Sequence, residues 1–232
     1  MAYTRKEIIG KIEPPTKSLY QKACVNYVGL TTDTKEKYTE VISEHVLTNL
    51  EEYKNSIITV SRRGSYKVKS HKEYDYKFAD PSFLRSEERL ARSLMGRKLG
   101  NLEILDYQVP LKSPEGTKNK GLGKIDLLAW DGKSLVILEF KRPDSSETLL
   151  RCVLEAFTYW ETVDREKLAN DFRDKTRDID KDVPVRAAAL VFKDSNPHKD
   201  WLDVKKPRVK ELMERLGVGL YVYELYIGLT EV

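Results

Sequence analysis

Cysteine is scarce in this chain: Cys24 and Cys152 stand far apart, and no CxxC pair or Cys/His cluster accompanies them. That excludes a disulfide framework and a zinc module, and points to a reducing compartment. No uninterrupted apolar run approaches the roughly 18 residues of a membrane-spanning helix. Met1 to Lys11 lacks the apolar stretch of a secretory signal. A soluble, cytoplasmic protein with no membrane partner is expected. Glycine (12) and proline (9) are too few for a collagen-like or low-complexity chain. No internal repeat is visible.

What the chain does have is length and charge. Its 232 residues are 40% hydrophobic and 34% charged, enough for one sizeable core without a staple. The 41 basic against 37 acidic residues leave a net charge of +4, too small to name a partner by itself. The excess is uneven, however. Ser61 to Lys72 carries Arg62, Arg63, Lys67, Lys69 and Lys72 with no acid, and Lys112 to Lys124 carries four lysines against Glu115. Such patches either meet phosphates or protect loops and strand edges by charge.

The chain changes character near Ala79-Asp80-Pro81, dividing it into residues 1–80 and 81–232. In the first part, Tyr38, Val41, Ile42, His45, Val46, Leu50 and Tyr53 predict one amphipathic helix over 35–53. Residues 57–78 read as one or two polar strands, making an N-terminal α+β extension able to bind substrate or a second copy in a homodimer. In the second part, Phe83, Leu84, Glu87, Leu90, Ala91, Leu94 and Met95 share a helical stripe that Gly100 ends. Strands follow at 102–111, 124–130 and 134–141, then a helix over 146–163. A charged exposed helix or loop (164–182), a strand (186–192), a helix (208–216) and a strand (219–227) complete the order. Tyr221, Tyr223 and Tyr226 read as packing in that last strand, and Gly116 to Gly123 as a loop. The fold class is α/β, a mixed central sheet flanked by helices.

Ionisable residues stand out in two apolar strands. Leu135-Val136-Ile137-Leu138-Glu139-Phe140-Lys141 has the look of a strand buried on both faces, yet it ends in a carboxylate and an ammonium. The preceding strand carries Asp126. A two-residue turn at Asp131-Gly132 would set Asp126 opposite Ile137 and diagonal to Glu139, and a four-residue loop would set it directly opposite Glu139. Either places Asp126, Glu139 and Lys141 on one face, within about 5–8 Å. A three-residue loop with a bulge would break the arrangement. Two converging carboxylates repel unless a divalent cation neutralises them, and their hard oxygens suit Mg²⁺ or Mn²⁺. A metal so held, beside a lysine that orients or deprotonates water, implies phosphodiester hydrolysis. Glu87 is a further candidate, with Glu88 its rival. Either is also an ordinary first-turn acid favoured by the helix dipole.

Asp126, followed twelve residues later by Glu139-Phe140-Lys141, resembles the D-x(n)-E-x-K signature of the PD-(D/E)XK nuclease superfamily, the restriction-endonuclease-like fold shared by Holliday-junction resolvases and RecB-type nuclease domains. The elements over 82–227 are similar to that core, and Glu87 to Leu94 resembles its first-helix glutamate segment. Two departures are Ile125 in place of proline and no glutamine in the 146–163 helix. The resemblance implies a Mg²⁺-dependent deoxyribonuclease, more an endonuclease than an exonuclease. Asp126, Glu139 and Glu87 would be metal ligands, Lys141 the water-positioning residue, and Arg142 a phosphate contact. With Arg62, Arg63, Lys67, Lys69 and Lys124, it would form the nucleic-acid-binding set. Two other readings stay open: a non-catalytic nucleic-acid-binding or assembly module of the same fold, and a Glu139/Lys141 ion pair of structural purpose.

Overall fold

The computed structural model describes residues 2–72, 87–112, 123–224 and 228–231. Phe83, Leu84 and Tyr226, together with residues 73–78 and 116–122, lie outside the described residues.

The sheet has seven strands among the described residues, lying side by side in chain order. A short β1 (Lys98–Leu99), β2 (Leu102–Pro110), β3 (Lys124–Trp130) and β4 (Leu135–Phe140) form an antiparallel meander. β5 (Val185–Phe192) and β6 (Val218–Glu224) extend it in parallel, and β7 (Gly228–Glu231) closes it antiparallel. The two parallel steps require crossovers. The first is made by α5 (Leu149–Thr162) and α6 (Arg165–Asp171), the second by α7 (Asn196–Leu202) and α8 (Pro207–Leu216).

The period-two alternation of the strands sorts their side chains between two cores. Leu127, Ala129, Val136, Leu138 and Phe140 pack with Leu90, Ala91 and Leu94 of α4 (Glu87–Leu94). Leu128, Trp130, Leu135 and Ile137 pack with Leu150, Val153 and Phe157 of α5 on the opposite face. Every residue of β4 is therefore buried, as its sequence predicts for a strand covered on both sides. At about 1.5–3 kcal/mol for each large side chain, this double coverage fixes β4 more firmly than any edge strand.

The first 72 residues join the second of these cores. α1 (Arg5–Ile12), α2 (Tyr38–Thr48) and α3 (Leu50–Asn55) contribute Ile8, Val41, Val46 and Tyr53 to the cluster that holds Phe157 and Leu212. The Glu40 carboxylate accepts the backbone N–H groups of Arg208 and Val209 at 2.9 and 3.0 Å, serving unpaired donors in the first turn of α8.

Four sequence expectations need correction. The helix over 35–53 is two helices, broken at Asn49, whose side-chain amide donates to the His45 carbonyl at 2.8 Å, an option its short polar side chain offers the backbone. Residues 57–72 form no strand beyond an isolated bridge from Val60 to Val163, because their polar pattern finds no free sheet edge there. Gly96, at φ 75°, follows α4, while Gly100, at φ 57°, makes the β1–β2 turn instead of ending the helix. Residues 164–182 are not wholly exposed, since Leu168, Ala169 and Phe172 are buried.

Candidate active site

The geometry of the site begins at the β3–β4 connection. Asp131 Oδ1 accepts the N–H groups of Lys133 and Ser134 at 2.8 and 2.6 Å, and the Asp131 N–H donates to the Ser134 carbonyl. The aspartate closes a four-residue loop by bonding its own downstream backbone, with Gly132 supplying φ 91°. Trp130 consequently pairs with Leu135 and Leu127 with Leu138. One step further along this register, Asp126 stands opposite Glu139. Of the geometries open to the sequence, the direct one holds.

Asp126 is partly buried and each of its oxygens has one partner: Oδ1 accepts from Gln108 Nε2 at 2.9 Å and Oδ2 from the Phe140 N–H at 3.2 Å, leaving a lone pair on each. Burial pushes its carboxyl up to about 6, opposed by the nearby Lys141 charge. Gln108 reaches it from β2 in a left-handed conformation, φ 47°, that a non-glycine residue adopts only when its surroundings enforce it.

Glu139 is 2% exposed. Its Oε1 accepts from Lys141 Nζ at 2.6 Å, while Oε2 is buried with no hydrogen-bond partner. Burial first, and Asp126 second, raise its carboxyl well above the usual range. Lys141 is 4% exposed and lies 3.1 Å from Glu147 and 3.3 Å from Glu155 as well. Burial opposes its charge, but Glu139 and Glu155 outweigh burial and hold it as an ammonium far above its ordinary range.

The helices supply the rest. Thr148 caps α5, its hydroxyl oxygen accepting the Arg151 N–H, and so aims Glu155 at the end of β4. One turn on, the Tyr159 hydroxyl donates to Glu155 Oε1 at 2.9 Å. That hydroxyl lies so close to Gly123 that a Cβ there would sit 2.1 Å from it, a close approach only glycine permits. From the other face, Glu87 opens α4, partly buried. Burial raises its carboxyl, Lys141 lowers it, and Glu147 and Glu155 raise it again, which places it in the same field. Glu88 is exposed. Between the rivals, Glu87 faces the site.

The sequence reading missed Gln108, Glu147, Glu155 and Tyr159. Glu155 had a signal: with Arg151 it is one of two charges in the first three turns of an otherwise apolar helix, where a carboxylate needs a partner. Gln108 had none, since its contact depends on a backbone conformation and on the β2 register.

The basic residues are dispersed. Arg62 Nη1 donates to the carbonyls of Pro110 and Lys112 at 3.1 and 3.0 Å, tying the 57–72 segment to the end of β2. Arg63, Lys67 and Lys69 are exposed. Lys124, also exposed, precedes Asp126 by two residues on β3 and so shares its face. Arg142 forms a fork with Asp144, Nε and Nη2 donating at 2.9 and 2.6 Å.

For a divalent metal, the donor chemistry fits. Asp126 and Glu139 offer hard oxygens on adjacent strands, and Glu139 Oε2 is a buried acceptor with no hydrogen-bond partner, which a cation could use. Among the described residues, no three His, Cys, Asp or Glu side chains are gathered closely enough to hold a metal by themselves. Mg²⁺ commonly takes one or two carboxylates and completes its shell with water and phosphate oxygens.

No helix among the described residues is long and apolar enough to cross a membrane. No family model matches the chain, and neither a curated protein nor a solved structure is similar to it.

Proposed function

We propose that this protein is a divalent-metal-dependent nuclease that hydrolyses phosphodiester bonds, of DNA in the first instance, on a restriction-endonuclease-like core of the PD-(D/E)XK type. The observation that carries the reading is the unpartnered Glu139 Oε2 beside Asp126, with Lys141 two residues on. A purely structural Glu139/Lys141 ion pair would be expected to satisfy both carboxylate oxygens, because an orphaned buried acceptor costs about 1–3 kcal/mol.

Asp126 and Glu139 would hold Mg²⁺ or Mn²⁺, with Glu87 auxiliary. When bound, the metal polarises a phosphoryl oxygen and acidifies a coordinated water. Gln108 and the Phe140 N–H hold Asp126 in one rotamer, so the carboxylate is aimed before substrate arrives. Glu139 and Glu155 favour the ammonium form of Lys141, which suits it to placing a water rather than deprotonating one. It orients the attacking water and offsets charge developing on the phosphate. Glu155, itself held by Tyr159, positions Lys141. Lys124 and Arg142 flank the site as phosphate contacts, whereas Lys67 lines a cleft with Glu103 and Phe172 at the other end of β2, so Arg63, Lys67 and Lys69 would meet phosphates only away from the site. Arg62 serves the site through the β2 end that it braces.

The test is incubation of the purified chain with single-stranded DNA, duplex DNA and RNA in Mg²⁺, Mn²⁺ or chelator. Metal-dependent cleavage that Glu139→Gln abolishes supports the reading. Absence of cleavage on all three substrates with either metal, from folded protein, overturns it.

A further inference from the structure

A second feature lies beside the strand-to-helix connection that follows Lys141. Residues 141–148 link β4 to α5. Within them Glu147 contacts the Lys141 ammonium, and its neighbour Ser146 lines a cleft of about 520 Å³. That volume lies within the range of small-ligand sites. The opposite wall comes from the N-terminal segment. Tyr3 and Tyr27 stack with their centroids 5.4 Å apart and their planes 4° from parallel, and Tyr38 meets both rings edge-on at 6.2 Å. Asn26, Asn196 and the exposed Val28 complete the lining, so every lining residue is uncharged.

Some polar groups here are engaged and two are not: the Tyr38 hydroxyl accepts the Tyr3 N–H at 3.0 Å. Asn26 Oδ1 accepts the Thr148 N–H at 3.1 Å, which ties the cleft to the start of α5. Among the described residues, the Asn196 amide and the Ser146 hydroxyl make no hydrogen bond. An aromatic wall combined with amide and hydroxyl groups, and no charge, selects a planar ligand that stacks and presents mixed donors and acceptors on its edge. No cation stands among the lining residues to meet a phosphate or a carboxylate, and the Lys11 ammonium lies over the Tyr3 ring, 4.4 Å from its centroid. A nucleobase matches on all three counts.

Resting on the nuclease reading, we propose that this cleft holds an unpaired nucleobase of the substrate strand, stacked on Tyr27, while a neighbouring phosphate lies at Lys141. The substrate class is then single-stranded nucleic acid or a duplex with a frayed or unpaired base. A fully paired duplex cannot place a base in the cleft without extruding it, at a cost of a few kcal/mol.

The experiment measures anisotropy of a labelled single-stranded oligonucleotide, and of its duplex, in chelator, for wild type, Tyr27→Ala, Asn196→Trp and Asp126→Asn. Asn196 is exposed, so its tryptophan variant fills the cleft mouth without disturbing the core, and covers the case in which Tyr27→Ala fails to fold. The expected result is single-strand binding about tenfold or more weaker in both cleft variants, given the usual size of base stacking. Duplex binding stays unchanged, and Asp126→Asn keeps the wild-type preference. If both cleft variants bind single strands as wild type does, while Mg²⁺-dependent cleavage still needs Asp126, the cleft assignment falls and the nuclease reading stands. If wild type neither binds nor cleaves any nucleic acid, both fall.

Discussion

The Lys141 ammonium donates to one oxygen of Glu139 at 2.6 Å and leaves the other oxygen of the same buried carboxylate without a partner. A lysine with three acidic neighbours is spread across them and saturates none. Arg151 also reaches Glu147 at 2.9 Å and Glu155 at 3.7 Å, so Glu139, opposite Asp126, is the acid of this cluster that depends on Lys141 alone and that a bound cation would relieve.

Lys141→Ala exposes that dependence. It strips Glu139 and Glu155 of their shared cation, and breaking such a buried pair costs about 3–5 kcal/mol. The metal-free variant is expected to lose that much in urea unfolding and to recover part of it in Mn²⁺. At saturating metal and enzyme its single-turnover cleavage falls on the order of 10²-fold or more. Wild-type stability without metal would show that the lysine does not neutralise the cluster.

The Asp126 carboxyl sets a pH dependence. Its ordinary value is 3.8, and in the folded chain it is raised to about 6. Between these values the folded protein keeps a proton that the unfolded chain has released. Stability thus falls as pH rises through the window, and the full penalty is present above about 6. Asp126→Asn removes it. In chelator, the variant should gain on wild type between pH 4 and pH 7, by an amount on the order of 1–3 kcal/mol. Urea midpoints that shift in parallel for the two proteins would contradict this.

Gly123 guards the Tyr159 hydroxyl. Gly123→Ala drives a methyl into it and displaces it from Glu155, so the support of Lys141 is lost from two residues that never touch the substrate. Cleavage should fall about tenfold or more, because small misplacements at a reacting centre are costly. Tyr159→Phe, which removes the hydroxyl without the clash, should keep the fold and show a milder loss. Full activity in Gly123→Ala would disconnect Tyr159 from the site.

Much of this was legible in the sequence because it rests on local pattern. Alternation in Leu135 to Lys141 gave a doubly buried strand and the face of Glu139. Asp131 and Gly132 marked the turn that sets Asp126 opposite it. The four-residue closure, by contrast, depends on the Asp131 carboxylate bonding two backbone amides, so sequence left the register with alternatives. Asn49 broke a helix whose apolar spacing continues unchanged through it, and periodicity is blind to that. Gln108 escaped because φ 47° is imposed by its neighbours rather than by its own type. The 57–72 segment has strand-like alternation, but its partners were settled by where β2 and α5 come to lie. The 3.6-residue spacing of Glu87 to Leu94 showed a buried stripe, and only packing against β2 and β3 separated Glu87 from Glu88.

The most direct measurement is a crystal of the protein soaked in Mn²⁺ and recorded at the manganese absorption edge. An anomalous peak within coordination distance of both an Asp126 oxygen and Glu139 Oε2, absent from Asp126→Asn crystals, is the expected result. Well-ordered wild-type density with no manganese at the two carboxylates, or with manganese only elsewhere, would contradict the assignment on which the proposed chemistry stands.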